Sequence, residues 1–373
     1  MPSKMKVIHI LNELKFSGAE IMYVAAAPIF QKLGCELSVV NTQKNMGSYA
    51  LNFEKAGFQV LHMVFPESIT GKWIYYYHMI RFLRKNHYDV MHIHRNDMKW
   101  GMALCARIAG CKSVYTFHSI FYSRTKLTFY YHWWSRWAAQ KLFRCTFQTI
   151  SDSVHDHERN YYHTETVKIY NWYNNHLFYP AKDGEKEAIR TELSINQNSL
   201  VITSVGGCSS IKRHTEIIQA LSLIVKKYPD AVYLHIGEGS SLPEEQQMVN
   251  ELNLKNNVWF CGNQNHVRKY LIAADIYVMT SQLEGISLTT IESMACDIPA
   301  VLYDVQGLRE FNKEKTCAVL SPEDHKQLAE NIIRLFEDKN RQKELVAFAN
   351  QFVNQNFDMQ TNATKIFRLY QKD

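Results

Sequence analysis

Two glutamates in the second half of the chain have a type and spacing that could bind the hydroxyl groups of one ligand. The segment Ser281–Cys296, SQLEGISLTTIESMAC, carries Glu284 and Glu292 eight positions apart. It follows an apolar run and opens a helix-length segment. Eight helical residues turn through about 800°, only about 80° past two full turns, so both carboxylates can lean toward one side. One can accept hydrogen bonds from sugar hydroxyls and the other from a ribose diol. The alternative is one glutamate favouring the helix dipole and one solvated glutamate.

The turn between these glutamates has the features of an anion site. Gly285 allows a ligand to approach the main chain closely because it has no Cβ. The backbone N–H groups of Ile286, Ser287 and Leu288 would stand at the start of the helix, where they lack intrahelical acceptors. The segment therefore predicts a phosphate-binding helix N-terminus flanked by two carboxylates.

The elements that must position these residues form a repeated strand–helix pattern. Short apolar runs alternate with amphipathic segments in both halves of the chain, which predicts βαβ units and parallel sheets. The fold class predicted is α/β, with two Rossmann-like, doubly wound domains facing a cleft. We expect the domains to span 1–173 and 199–356, joined by a polar, turn-rich linker at 174–198, with a C-terminal helix at 357–373 packing back on the first domain. Ligands of such sheets bind at the carboxyl ends of the strands.

Composition limits the class of protein. The chain has 373 residues, 46% of them hydrophobic and 21% charged, which is typical of globular domains with real cores. No apolar run is long enough for a transmembrane helix, and the N-terminus shows no signal-peptide pattern. The eight cysteines have no paired spacing, which favours reduced thiols and a cytoplasmic location. Residues 1–180 hold 21 Lys and Arg against 11 Asp and Glu, so this half is expected to face an anionic partner.

Several ordered motifs make the chain resemble the family-4 retaining glycosyltransferases, which have the GT-B fold. The segment S-x2-EG-x6-E-x-MAC-x2-P resembles the family's donor-site signature, and Phe16–Glu20, FSGAE, resembles its first glycine loop. His92-Ile93-His94 followed by Thr116-Phe117-His118 resembles a further family segment. Ser204-Val205-Gly206 with Lys212 resembles the phosphate loop, and Gly237-Glu238-Gly239 resembles the G-x-G turn. The resemblance covers nearly the whole chain.

This resemblance implies a role for each matching residue. Glu292 is expected to hold the donor ribose, Glu284 to contact the transferred sugar, and Lys212 to neutralise the leaving diphosphate. His118 is expected to hydrogen-bond the donor sugar beside the reacting centre. The remaining donor-binding positions are those whose backbone approaches the phosphates. They are Gly18, Gly206, Gly237, Gly285, Ile286, Ser287 and Leu288.

The chain departs from the family pattern at three places. Gly207 stands where the family usually has an arginine, so one cation at the diphosphate is missing. Arg213 is the candidate substitute, although helical neighbours point about 100° apart. Asn171-Trp172-Tyr173-Asn174 replaces the family's N-G-V-D segment, and Asp297 replaces a glycine. These departures affect substrate identity more than fold.

No metal or other cofactor is expected. The family is described as retaining the anomeric configuration through front-face attack, in which the leaving phosphate helps to deprotonate the acceptor. The chain contains no D-x-D triplet, so cations and helix N-termini would stabilise the diphosphate. The histidine groups nearest to metal-ligand spacing are His92 with His94 and His155-Asp156-His157, and for both the default is an ordinary core or surface histidine.

The segment 122–145 mixes aromatic and basic residues. In a helix, one stripe of apolar residues is interpreted as core, namely Leu127, Tyr131, Trp134, Ala138 and Leu142. Phe129 and Trp133 then fall on the opposite side, near His132 and Arg136. Aromatic residues among cations suit a membrane interface with anionic headgroups. We therefore hypothesise that this face docks on the inner face of the cell membrane, with packing within the first domain as the alternative.

The sequence thus predicts a metal-independent hexosyl- or N-acetylhexosaminyltransferase (EC 2.4). Its donor would be a nucleotide-sugar, with a UDP-sugar favoured, and its acceptor a glycan or lipid-linked glycan in capsule, exopolysaccharide or lipopolysaccharide synthesis. The alternative is a catalytically silent nucleotide-sugar-binding partner of another glycosyltransferase, which Gly207 favours. A phosphorylase or epimerase of the same architecture is also possible, because fold does not fix function. A nucleic-acid partner is not expected, since no nucleic-acid motif is present.

Overall fold

The computed structural model describes residues 4–371, and these residues divide into two compact units. Within the described residues, the first unit comprises 4–172 and 359–371, and the second comprises 173–358. Each unit is built on one parallel sheet with helices between successive strands, as the alternating pattern predicts. The two-domain α/β prediction is therefore confirmed at the level of the sheets.

The first unit contains a seven-stranded parallel sheet in the order β3-β2-β1-β4-β5-β6-β7. Its strands are β1 (Met5–Leu11), β2 (Cys35–Asn41), β3 (Gln59–His62), β4 (Val90–Ile93), β5 (Lys112–Phe117), β6 (Thr146–Thr149) and β7 (Val167–Lys168). Its helices are α1 (Gly18–Lys32), α2 (Ala50–Lys55), α3 (Ile69–Asn86), α4 (Lys99–Ala109), α5 (Lys126–Trp137), α6 (Asp152–Tyr161) and, from the end of the chain, α14 (Met359–Gln371). A π-helical turn, Ala138–Leu142, follows α5.

The C-terminal helix lies in the core of the first unit. Ala363, Ile366 and Tyr370 of α14 belong to the same buried cluster as Phe30 of α1. The Tyr370 hydroxyl lies 2.7 Å from Nδ1 of the buried His92 on β4, which ties the end of the chain to the centre of the sheet. The helix predicted at the C-terminus therefore completes this domain.

The second unit contains a six-stranded parallel sheet in the order β10-β9-β8-β11-β12-β13. Its strands are β8 (Val201–Val205), β9 (Val232–Ile236), β10 (Val258–Gly262), β11 (Ile276–Met279), β12 (Ala300–Tyr303) and β13 (Val319–Ser321). Its helices are α7 (Glu185–Glu192), α8 (His214–Ile224), α9 (Leu242–Glu251), α10 (Val267–Ala273), α11 (Leu288–Ala295), α12 (His325–Glu337) and α13 (Lys339–Asn356). The central strands β8, β9, β11 and β12 are buried throughout, as expected for a parallel sheet covered on both faces.

The prediction of a linker at 174–198 was wrong. These residues belong to the second unit and contain α7. Arg190 of α7 is buried, donates to the main-chain carbonyl of Ala273 at 2.9 Å, and pairs with Asp275 at 2.8 Å. The polar composition misled because this helix is held to the domain by a buried arginine and its hydrogen bonds rather than by an apolar stripe.

In each sheet the order in which successive strands are added reverses at one point. This point lies between β1 and β4 in the first unit and between β8 and β11 in the second. Doubly wound sheets bind ligands outside the carboxyl ends of the strands at such points. All eight cysteines are unpaired thiols. Within residues 4–371, no helix has the length and apolar character needed to cross a bilayer.

Candidate active site

The predicted donor-site residues lie at the carboxyl edge of the second sheet. Gly206 follows β8, Gly237 follows β9, and Glu284 follows β11. The first two loops run against each other: Gly206 N–H donates to Ile236 at 2.9 Å, and Cys208 N–H donates to Glu238 at 3.0 Å. A Cβ on Gly237, where φ is 138°, would lie 1.9 Å from the Gly206 carbonyl oxygen. The two bare loops therefore approach more closely than any side chain would permit.

Lys212 and Glu284 form an ion pair beside these loops. The Lys212 Nζ lies 2.6 Å from Glu284 Oε1, and both side chains are partly buried. The aliphatic part of Lys212 lies over Gly206, whose Cβ position is 3.6 Å from Lys212 Cε. The structure thus places one cation directly over the glycine loop, where a diphosphate would need it.

Two residues that the sequence analysis missed position this pair. The buried Thr280 hydroxyl is 3.0 Å from the carbonyl oxygens of both Lys212 and Arg213, which fixes the loop. Gly307, at φ 87°, packs against the backbone of Glu284, and a Cβ there would lie 2.2 Å from the Glu284 carbonyl oxygen. Neither residue has a local sequence signal, because each acts through a main-chain contact with a distant segment.

Glu292 differs from Glu284 in having no partner. It lies half-buried in α11, and in the described part of the chain no hydrogen bond or ion pair reaches its carboxyl group. Burial raises the pKa of Glu292 to about 8, from an ordinary value of 4.5. The oxygens of a desolvated carboxyl group without a protein donor are available to accept hydrogen bonds from the hydroxyl groups of a ligand.

The helix that carries Glu292 begins as predicted. Ser287 is the N-cap of α11, and its hydroxyl accepts a hydrogen bond from Thr290 N–H at 3.2 Å. The helix starts at Leu288, so the amides of residues 286–288 stand at its N-terminal end, where positive partial charge accumulates. The turn therefore has the geometry of an anion site, next to the Glu284 ion pair.

Arg213 lies apart from Lys212. Its guanidinium group pairs with Glu216 at 3.2 Å and with Glu323, and it lies 5.4 Å from the centre of the Tyr303 ring. Two carboxylates thus hold the cation that was the candidate substitute for the missing arginine. At Gly207 itself, a Cβ would meet only the Glu238 carbonyl oxygen, at 3.4 Å, so the backbone there leaves room for a side chain.

In the first unit, the predicted residues lie at the carboxyl ends of β1 and β5. Gly18 begins α1 after β1, and Glu20 in its first turn is buried and accepts from the Ser17 hydroxyl. His118 follows β5 and lines an open cavity of about 360 Å³ together with His94, Asn12 and Arg95. This cavity lies at the carboxyl ends of β1 and β4, where the strand order of the first sheet reverses.

His118 is the outer member of a row of three histidines. Its Nε2 lies 2.9 Å from His94 Nδ1, and His94 Nε2 lies 3.0 Å from His9 Nδ1. Burial lowers the pKa of His118 to about 4 and that of His9 to about 3, so the row is neutral at physiological pH. Among the described residues, His9 Nε2 has no hydrogen-bond partner.

That unpaired nitrogen fixes the direction of the row. Each neutral imidazole has one N–H, so the protons must all point the same way along the row. A buried N–H without an acceptor is more costly than a buried lone pair, so His9 donates from Nδ1 to His94 and His94 donates from Nδ1 to His118. His118 then carries its own proton on Nδ1 and is available as a hydrogen-bond donor to a ligand.

The two histidine groups weighed as metal ligands are engaged in other contacts. His92 Nδ1 and Nε2 each lie 2.7 Å from a hydroxyl, that of Tyr370 and that of Thr116. His155 Nδ1 lies 2.7 Å from the Thr166 hydroxyl, whereas His157 Nε2 lies 3.1 Å from the Phe121 carbonyl oxygen. His92 therefore acts as a core residue, and the 155–157 pair does not converge on one point.

The prediction that one stripe of α5 is core was wrong for most of its residues. Leu127, Tyr131 and Trp134 are 81%, 52% and 42% exposed. The buried face instead carries Arg136, which is 2% exposed, pairs bidentately with the buried Glu158, and lies 3.6 Å from the centre of the Tyr162 ring. An arginine neutralised in this way can occupy the core. The prediction holds only in part, since Ala138 of the stripe is buried and Trp133 on the opposite side is 40% exposed.

On the side predicted to be exposed, Phe129 stacks on Tyr162 with ring centres 5.5 Å apart. The exposed stripe continues onto neighbouring helices, since Trp100 of α4 contacts Trp134 of α5 and Trp73 of α3. We call this the aromatic surface. It comprises Trp73, Tyr77, Trp100, Leu127, Tyr130, Tyr131, Trp134 and Trp137.

Comparison with known families identifies both halves of the chain. Residues 16–175 match the family described as Glycosyltransferase Family 4, and residues 185–352 match the family described as Glycosyl transferases group 1. Together the two matches cover most of the chain.

Two relatives are similar to parts of the chain. An N-acetyl-alpha-D-glucosaminyl L-malate synthase of Bacillus anthracis is 24% identical over 51% of this chain and 49% of its own length. A UDP-Gal:alpha-D-GlcNAc-diphosphoundecaprenol alpha-1,3-galactosyltransferase of Escherichia coli is 26% identical over 61% of each chain. The similarity thus spans about half to three fifths of these relatives.

A solved structure resembles the chain over its full length. HepE of Anabaena, in complex with UDP and glucose, is 20% identical, with a TM-score of 0.84 over 98% of this chain and 99% of that chain. This likeness confirms the predicted GT-B fold.

Proposed function

Because the chain joins a Family 4 glycosyltransferase domain to a group 1 glycosyl transferase domain, we propose that it is a retaining glycosyltransferase that uses a UDP-sugar. The acceptor is a glycan or lipid-linked glycan of a cell-surface polysaccharide. The observation that carries the proposal is the Lys212–Glu284 pair over the bare Gly206 loop, together with Glu292, whose carboxyl group has no partner in the described part of the chain. Cation, close backbone approach and a free carboxyl group are the three features that a sugar nucleotide requires.

Each residue has one task in this proposal. The Glu292 carboxylate accepts hydrogen bonds from the ribose hydroxyls, and the amides of residues 286–288 face the diphosphate. Lys212 neutralises the charge that grows on the leaving diphosphate, while Glu284 orients both Lys212 and the hydroxyls of the transferred sugar. His118 donates from Nδ1 to the donor sugar.

The transfer proceeds without a divalent ion in this proposal. Lys212 and the start of α11 supply the positive charge that a metal ion would otherwise bring to the diphosphate. The leaving phosphate oxygen then takes the acceptor proton on the same face of the sugar, which retains the anomeric configuration. Support for UDP comes from the HepE structure, which holds UDP and glucose, and from the galactosyltransferase of Escherichia coli, whose donor is UDP-Gal.

A thermal-shift panel with UDP, GDP, ADP and their sugar conjugates tests the donor. We expect UDP and one UDP-sugar to raise the melting temperature by a few degrees, since a ligand at about 100 times its dissociation constant stabilises by about 2.7 kcal/mol. The shift should be the same after brief exposure to EDTA. Equal shifts with all nucleotides would contradict the proposed donor. No shift with any of them would favour the silent-partner alternative, and Gly207→Arg would then be the variant to test.

The aromatic surface supports a membrane-docking role for the first unit. Lys126 and Lys141, both exposed, belong to the same segment of the chain as its α5 residues, and no acidic residue occurs from Met98 to Ser151. Contiguous exposed apolar area of this kind marks an interaction site, and indole and phenol rings among cations suit the headgroup region of an anionic bilayer. We propose that this surface brings the enzyme to a lipid-linked acceptor.

Liposome co-sedimentation tests this docking. We expect the bound fraction to rise with the content of phosphatidylglycerol and to fall severalfold in the double variant Trp73→Ser/Trp134→Ser, because each indole contributes apolar area at the interface. Leu51→Ser is the control, since Leu51 is an equally exposed apolar residue of the same unit outside the aromatic surface. Binding that ignores lipid charge, or that falls equally in the control, would contradict the proposal.

A further inference from the structure

A second cluster of reactive side chains lies inside the second unit, beneath the glycine loop. It consists of Cys208, His214, His235 and Glu245, whose exposed fractions are 1%, 2%, 0% and 1%. The four residues come from four different places: the loop after β8, the first residue of α8, the strand β9, and the helix α9. None of them has a role in the proposed transfer.

The four side chains point at one another. His214 Nδ1 lies 3.0 Å from His235 Nε2 and 3.2 Å from Glu245 Oε1. His235 Nε2 also lies 2.9 Å from Glu245 Oε2 and 3.8 Å from Cys208 Sγ. One donor atom from each residue lies within 4.8 Å of all the others. The cluster is therefore a closed set of one sulfur, two nitrogens and one carboxylate oxygen.

These separations match a tetrahedral zinc site. With Zn–N near 2.05 Å and Zn–S near 2.3 Å, a tetrahedron puts two nitrogens about 3.3 Å apart and a nitrogen and a sulfur about 3.5 Å apart. The observed distances of 3.0 and 3.8 Å differ from these by about 0.3 Å. All four ligand atoms lie within 4.8 Å of one another, so one ion can contact them all once the side chains close around it.

The hydrogen bonds within the cluster are incomplete. Glu245 Oε2 is buried and has no hydrogen-bond partner among the described residues, although it lies 2.9 Å from His235 Nε2. The oxygen is close to the ring nitrogen but lies off the line of its N–H. If His214 Nδ1 and His235 Nε2 both carried protons, the two N–H groups would collide. If either nitrogen lacked its proton, its lone pair would face an oxygen of the Glu245 carboxylate.

Only two arrangements remove this conflict. Either Glu245 is a neutral carboxylic acid that donates to one of the two histidines, or a cation accepts the lone pairs of all four ligands. The second arrangement satisfies Glu245 Oε2 and uses the thiolate of Cys208, a soft ligand that together with imidazole selects zinc. It places the His235 proton on the buried Nδ1, which has no acceptor among the described residues. A site with four protein ligands and no opening to solvent is of the structural kind rather than the catalytic kind.

We propose that Cys208, His214, His235 and Glu245 bind one Zn²⁺ ion that holds the phosphate-side loop of the second unit in place. Cys208 and His214 bracket the loop that carries Lys212, and Gly206 stands two residues before Cys208. The ion ties both ends of this loop to β9 and α9. The transfer chemistry itself still proceeds without a metal, so the zinc proposal is independent of the proposed donor.

Metal analysis of the intact protein, expressed with zinc in the medium and purified without a metal-affinity column, is the first test. We expect about one zinc per chain after exhaustive dialysis. The content should fall severalfold in Cys208→Ser and in Glu245→Gln. Cys317→Ser is the matched control, because Cys317 is an equally buried thiol of the same unit outside the cluster. Zinc retained in both cluster variants, or lost equally in the control, would overturn the assignment.

Cobalt substitution gives a readout that does not depend on any variant folding. Wild-type protein produced with Co²⁺ should show the visible bands of tetrahedral cobalt and a sulfur-to-cobalt charge-transfer band in the near ultraviolet. Wild-type protein with neither zinc nor a cobalt–thiolate band would show that Glu245 is protonated and that the cluster is held by hydrogen bonds alone. That outcome would overturn the proposal and leave the nucleotide panel unaffected.

Discussion

Replacing Lys212 by alanine should lower kcat/KM for sugar transfer by about 10²–10³. Removal of one preorganised group that stabilises transition-state charge typically costs this much. Lys212 supplies positive charge over the Gly206 loop and is held there by Glu284 at 2.6 Å. Because charge on the diphosphate grows as the sugar leaves, most of the loss should appear in kcat rather than in KM.

The matched control for this variant is Lys226→Ala, an exposed lysine on the same domain, which should transfer at the wild-type rate. Initial rates with the UDP-sugar found in the thermal-shift panel provide the measurement. A loss confined to KM would mean that Lys212 only binds the ground state. An unchanged rate would show that the cation over the loop has no part in the reaction.

A double-mutant cycle separates the two roles given to Glu284. Glu284→Gln alone should slow transfer, since Lys212 loses the carboxylate that orients it and the sugar loses an acceptor. If Glu284 acts mainly through Lys212, the double variant Lys212→Ala/Glu284→Gln should be little worse than Lys212→Ala, because residues in one ion pair are not additive. Additive losses would indicate that Glu284 acts mainly on the sugar.

The sequence predicted those parts of the site that follow from local pattern. The alternation of strands and helices gave the two sheets, and the run after β11 gave a helix N-terminus beside Glu284, because turn and cap chemistry are local. The Lys212–Glu284 pair joins residues 72 positions apart, so its existence required the sheet order. The family motifs predicted that Lys212 and Glu284 both lie at the carboxyl edge of the second sheet, but they could not show that the two side chains are in contact.

Other features were missed because they depend on which face of an element is buried. The apolar stripe of α5 was assigned to the core, yet Arg136 occupies that core through its pairing with Glu158. Periodicity treats every arginine as solvated and cannot include a partner 22 positions away. The cluster around His235 was missed for a similar reason, since its four side chains have no regular spacing along the chain and converge only where β9 meets α8 and α9.

Replacing Glu292 by glutamine should stabilise the protein without ligand and weaken its binding of UDP. The folded pKa of about 8 lies above the ordinary value of 4.5, so the folded chain keeps a proton that the unfolded chain releases. The contribution of this proton to the free energy of unfolding is therefore fully present below pH 4.5 and is lost as the pH rises to about 8. Each unit of pKa shift corresponds to about 1.4 kcal/mol. Glu292 is half-buried, so we expect a smaller net gain in the variant, on the order of 1–3 kcal/mol above pH 8.

Melting curves from pH 5 to pH 9 measure this gain. The melting temperature of Glu292→Gln should exceed that of the wild type by a few degrees at pH 9 and by little at pH 5. Glu314→Gln, at an exposed glutamate of the same unit, should follow the wild type throughout. A difference that does not change with pH would mean that the glutamine acts through packing rather than through the missing charge.

Ligand binding should change in the opposite direction. The ribose hydroxyls donate to the ionised carboxylate, so UDP binding lowers the pKa of Glu292 and releases a proton at pH values between that lowered pKa and about 8. Calorimetry in buffers of different ionisation enthalpy should detect that proton in the wild type and not in Glu292→Gln.

The affinity of Glu292→Gln for UDP should fall by about tenfold to a hundredfold, since a hydrogen bond to a charged group contributes about 1.5–3 kcal/mol. Higher stability together with weaker UDP binding in Glu292→Gln would indicate that the Glu292 carboxylate binds the nucleotide at a cost in folding stability. A variant that binds UDP as tightly as the wild type would place the ribose elsewhere.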